Sequence, residues 1–163
     1  MNNGDVQQLI SNCDNELIHI DSIITSIGGT NLMIPYLNKY SVIRTCGTIE
    51  VSFKTLIADF CSKRSKQQVK NFLNKKIREN SANPSYERII QILRDFDDVW
   101  VNNFKTQMQA LPNYNSIKSS IQSLVDARND FAHGGNPTIT FNDIKNYFTE
   151  SKLIITTLDN VIG

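Results

Sequence analysis

The sequence predicts an all-α protein: a single-domain bundle of about five to six helices over residues 1–163. Three observations carry this. Apolar residues return every three or four positions through one stretch after another, the period of a helix with one buried face. Only 7 glycines and 4 prolines occur, and they fall largely between the periodic stretches. Hydrophobic residues make up 40% and charged residues 20%, a composition that can bury a core.

The first helix is expected from about Asp5 to Ile27, where Val6, Leu9, Ile10, Cys13, Leu17, Ile20 and Ile24 share one face, and "GGTN" ends it. The second begins near Leu32 to Tyr36, with Pro35 tolerable in a first turn, and runs to about Cys61. Its core face is read as Val42, Ile43, Cys46, Ile49, Phe53, Leu56, Ile57 and Phe60. A third, about Ser65 to Arg78, carries a narrow stripe of Val69, Phe72, Leu73 and Ile77. Asn83-Pro84 opens a fourth by the cap and first-turn proline signals, with a stripe from Tyr86 through Ile89, Ile90, Leu93, Phe96 and Trp100 to Phe104. Asn115 is expected to cap a fifth, about Ser116 to Ala132. Thr140 with Asp143 starts a sixth, which ends near Val161.

Bulk properties exclude several classes. A net charge of +1 leaves nucleic-acid contact to a local patch. The three cysteines, Cys13, Cys46 and Cys61, form no CxxC pair and suggest neither a zinc site nor a disulfide framework. Free thiols fit a reducing compartment, and the expected location is cytoplasmic. The first residues lack the basic start and apolar run of a signal peptide. No apolar run approaches the ~20 residues that span a bilayer.

Two charges lie where apolar residues are expected. Arg128 falls within the face made by Ile117, Ile121, Leu124, Val125 and Phe131, and Glu50 lies between Cys46, Phe53 and Ile57. Burying a lone charge is costly, so the two are expected to meet or to line one cleft, with Asp97 as a competing partner for Arg128. The alternative is that Arg128 lays its stem on the core and keeps its head in water.

Arg128 stands in "VDARNDFAHGG", Val125 to Gly135. On a continuous helix Arg128 and His133 would point about 140° apart, whereas Asn129 and His133 are neighbours. An Arg–His pair therefore needs a loosened helix end, and Gly134-Gly135 offers one. Arginine presents a planar fork that suits phosphate, and histidine as a residue type titrates near neutrality and moves protons. Asparagine can hold a ring or a ribose hydroxyl. The trio suits RNA cleavage by the ribose 2′-hydroxyl. Equally, a histidine before Gly-Gly is a common helix cap, and spacing does not choose between the two readings.

"RNDFAH" matches the Arg-x(4–6)-His signature of HEPN domains, with a polar residue directly after the arginine. "VIRTCGTIEVSFKTLIADF" also resembles the long second helix of stand-alone bacterial HEPN proteins, and the RiboL-PSP-HEPN type is the most similar branch. The resemblance covers nearly the whole chain in helix order. It implies a helical bundle that pairs as a homodimer, with two motifs forming one composite site. It implies a metal-independent endoribonuclease without cofactor, leaving a 2′,3′-cyclic phosphate and a 5′-hydroxyl. A toxin–antitoxin or anti-phage defence role would follow, with RNA as substrate and a cognate antitoxin protein as partner. By position, Arg128 would stabilise the phosphate, His133 would act as general acid or base, and Asn129 would support them. Glu50 as an orienting partner for Arg128 comes from the helix wheels. The alternative is a silent HEPN module that binds a partner protein or a nucleotide.

The run "KRSKQQVKNFLNKKIR" contains no acid, and Lys63, Arg64, Lys66 and Lys70 are its expected RNA contacts, set against a plainly solvated face. Asp95, Asp97 and Asp98 lack the spacing and the histidine of a metal site, so no metal is expected. Trp100 and Phe104 continue an apolar stripe and are read as core or dimer anchors rather than a base-stacking platform. His19 falls on a polar face and receives no role.

Overall fold

The computed structural model describes residues 1–136 and 138–163. Its described residues form seven α-helices without a strand. Helix α1, Gly4–Ile27, is capped by Asn3, whose Oδ1 accepts from the Val6 N–H at 3.0 Å. It ends at Gly28, whose φ of 81° is left-handed. Helix α2, Ile34–Ser62, is the longest at 29 residues and has Pro35 in its first turn. It forms the axis of the bundle, packed by α1, by α6 (Tyr114–Ala132) and by α7 (Phe141–Ile162). Small buried hydroxyl residues, Ser41, Thr45, Thr48 and Ser52, repeat along α2. The first three bond to carbonyls of their own helix, which satisfies them without a partner across the interface.

Helix α3, Gln67–Leu73, runs on into a wide π-turn over Asn74–Arg78, closed by the Glu79 N–H to the Asn74 carbonyl at 2.9 Å. The expected fourth helix is two: α4, Tyr86–Arg94, and α5, Asp98–Gln109. Asp97 causes the break. Its carboxylate accepts from the Val99 N–H at 2.7 Å and caps α5. Ser85, rather than Asn83, caps α4, with its Oγ accepting from the Arg88 N–H at 3.2 Å. Helix α6 starts one residue before the expected Asn115 cap. The expected Thr140/Asp143 capping box starts α7.

Most of the core is one cluster in which Phe53, Ile57, Ile89, Leu93, Phe104, Ile121 and Phe148 are fully buried. A smaller cluster of Val42, Cys46, Leu124, Ala127 and Ile144 joins α2, the last turns of α6 and the start of α7. Four residues expected in the core lie largely outside it. Ile43 is 53% exposed and Phe72 59%, while Phe60 and Val69 are also exposed. In α2 the exposed residues Tyr36, Tyr40, Ile43 and Val51 share one outer stripe, with Gly47 between them. Among the described residues no helix is long and apolar enough to cross a membrane.

Candidate active site

The smaller core cluster is the floor of the site. Leu124 and Ala127 anchor α6 on it, and the Cys46 thiol donates to the Leu124 carbonyl at 3.3 Å. Burial pushes the Cys46 thiol up to about 12. Arg128 lies close enough to pull against that shift, and Glu50 close enough to add to it. Cys46 is therefore a small packing residue without nucleophilic character.

Arg128 is half-buried on α6 and donates from Nη1 to Oδ1 of Asn129 at 3.2 Å. The same oxygen accepts from Nδ2 of Asn83 at 3.4 Å. The Asn83 Oδ1 is buried without a hydrogen-bond partner among the described residues. His133 is the C-cap of α6, exposed, with its backbone N–H on the Asn129 carbonyl at 3.1 Å. Asn129 thus ties the motif together: its side chain takes the guanidinium and its carbonyl takes the histidine backbone. Asn83, missed as a site residue from sequence, is a further contact. From sequence the Asn83-Pro84 pair there reads as a helix start.

The glycines do not leave the helix end loose. Gly134 has a φ of 84°, its N–H reaches the Phe131 carbonyl at 3.1 Å, and the Gly135 N–H reaches the Asp130 carbonyl at 2.8 Å. This pair of closing bonds is a Schellman motif, which fixes the turn. Within one protomer no hydrogen bond joins the side chains of Arg128 and His133 among the described residues.

Neither expected carboxylate pairs with Arg128. Glu50 pairs with Lys54, four residues on in α2, and its Oε1 also accepts from the Ala82 N–H at 2.8 Å. Asp97 is committed to capping α5. No ion pair to Arg128 occurs among the described residues. Of the basic run, Lys63, Arg64 and Lys66 are exposed and Lys70 half-buried. They sit past the far end of α2, roughly 25 Å of helical rise from Cys46, so in one protomer they do not border the motif.

No curated protein and no solved structure gives a significant match to the chain. A model of one family does match, RiboL-PSP-HEPN, over residues 8–163. That span takes in α6 with its Arg-x(4)-His turn and nearly every helix around it, and the chain belongs to the RiboL-PSP-HEPN family.

Proposed function

We propose that this protein is a metal-independent endoribonuclease of the HEPN type, acting as a cytoplasmic homodimer in a toxin–antitoxin or anti-phage defence role. One observation carries the reading. Arg128 is a half-buried arginine whose guanidinium has no carboxylate partner among the described residues, on the same helix end as Asn129 and His133. Such a cation favours an anion of fitting geometry, and a phosphodiester presents two oxygens to its fork.

In this mechanism the ribose 2′-oxygen attacks phosphorus as one imidazole takes its proton. The bond to the 5′-oxygen breaks, and a second imidazole protonates the leaving oxygen. The products are a 2′,3′-cyclic phosphate and a 5′-hydroxyl. Arg128 stabilises the charge that develops on phosphorus oxygens, and Asn129 holds the guanidinium. One chain supplies a single motif histidine, so two proton-transfer groups call for a second copy. The exposed stripe of Tyr36, Tyr40, Ile43 and Val51 supports that pairing, and Gly47 in its middle leaves room for a second helix.

The test is cleavage of single-stranded RNA in EDTA. Wild type is expected to cut, and His133→Ala and Arg128→Ala are each expected to abolish cutting with unchanged circular dichroism. The second reading, a silent module that binds a partner protein or nucleotide, is favoured by the capping role of His133. A folded dimer that leaves RNA intact would select it.

A further inference from the structure

We propose that the cavity between the π-turn and α4 is a binding site for a small aromatic carboxylate. The cavity measures about 320 Å³ and is walled by Phe72, Ile77, Ile92 and Phe96. At the ~30 Å³ that a water takes in the liquid, it has room for roughly ten or more heavy atoms. Its walls are flat and apolar: Phe96 is stacked on Trp100 at 6.4 Å, and Phe72, 59% exposed, adds a second aromatic ring to the lining.

The polar groups converge on one sign. Lys54, Lys76 and Arg88 line the cavity against the single acid Asp95. Lys54, 5% exposed, is neutralised by Glu50 and bonded to the Asn80 carbonyl. Lys76 and Arg88 have no ion-pair partner among the described residues; the Arg88 guanidinium donates to Gln91, at 3.3 Å. With Asp95 counted, one positive charge remains for a ligand. Apolar walls with a few placed cations are the usual make-up of a small-molecule site.

The backbone has a feature that fits this use. In a regular helix residues five apart point about 140° from each other. The wide turn at Asn74–Arg78 brings Ile77 round toward the side that Phe72 and Lys76, four residues apart, already share, and all three line the cavity. Single π-turns are rare and recur at functional sites.

The experiment is an ¹⁵N–¹H NMR titration of the full chain with 2-naphthoate, a flat monoanion, and with the neutral 2-naphthalenemethanol. Saturable shifts are expected for amides of the 72–82 and 88–96 segments. The neutral analogue and the Lys76→Gln/Arg88→Gln variant are each expected to bind roughly tenfold more weakly or worse. Shifts that rise linearly to the solubility limit, or that scatter over α1 and α7, would overturn the site. Equal affinity for the neutral analogue would overturn its anion preference, even if the double variant failed to fold.

Discussion

Arg128 donates to the side-chain oxygen of Asn129, its immediate neighbour, at 3.2 Å, and the Asn129 carbonyl in turn accepts from the backbone N–H of His133 at 3.1 Å. Asn129→Ala removes that anchor and the 3.4 Å contact from Asn83 together. A hydrogen bond to a charged group is worth about 1.5–3 kcal/mol, so RNA cleavage is expected to fall roughly ten- to hundredfold. The loss should appear in kcat more than in KM, with the melting temperature little changed, in a single-turnover assay beside a thermal melt. An unaltered kcat would show that Asn129 plays no positioning part.

Gly134 is the second test of the motif. Its φ of 84° disfavours any side chain, and Gly134→Ala is expected to cost about 1–2 kcal/mol. Gly134→Asn should cost less, because asparagine tolerates the left-handed region. Denaturant unfolding measures both. At Gly135 the conflict is different: an added methyl group would run into the Asp130 carboxylate.

The Glu50–Lys54 pair predicts an asymmetry. Their side chains are 18% and 7% exposed, and Glu50 also holds the Ala82 N–H. Glu50→Ala leaves Lys54 without its counter-charge and is expected to destabilise by about 3 kcal/mol. Replacing both by Met should cost much less, since no unpaired charge remains. Equal losses in urea unfolding would refute this account.

Gly47 gives effects of opposite sign. A methyl group there meets nothing within 4 Å, so Gly47→Ala should stabilise the protomer by about 0.5–1 kcal/mol. Gly47→Leu and Ile43→Arg should instead abolish self-association without unfolding the chain. Analytical ultracentrifugation reads the second effect. Association that survives Gly47→Leu and Ile43→Arg would place the dimer face elsewhere.

Acid should weaken the joint between α1 and α2. The hydrogen bond from Arg44 holds the Glu16 carboxyl below the usual carboxylate range, with a further bond from Tyr40. A carboxyl lowered in the folded state adds stability that is full above about pH 4.3 and drains as pH falls through its folded value. The gap in melting temperature between wild type and Glu16→Gln is expected to be widest near pH 6 and to close below pH 4. Because Glu16 is partly exposed, the gap should be small throughout.

Local rules made the ends of α1, α2 and α7 legible, because Gly28, Pro35 and the Thr140–Asp143 box each act within a few residues. The break at Asp95–Asp97 was hidden by the spacing of Leu93, Phe96, Trp100 and Phe104, which keeps helical period across it. Periodicity reports a buried face and not an unbroken backbone. Ile43 has the character of core residues yet faces outward, because a wheel cannot say which apolar side of α2 the other helices cover. The charge on Glu50 is visible in the sequence on an apolar face, but its partner is not. Lys54, one turn along the same helix, wins by proximity over Arg128. The candidate residues Arg128, Asn129 and His133 are readable as a motif, whereas the Asn83 contact depends on how the segment before α4 folds back, which no local signal encodes.

The turn at Gly134 and Gly135 is closed entirely by carbonyls of α6, from Phe131 and Asp130. The imidazole's mounting is therefore closed by its own helix: among the described residues no backbone hydrogen bond to the turn comes from the connector to α7. Lengthening that connector costs only a slow, logarithmic loss of chain entropy. Insertions just before Thr140 should thus leave the motif in place, making this joint a natural spot for relatives to differ in length and for a reporter peptide to be spliced in.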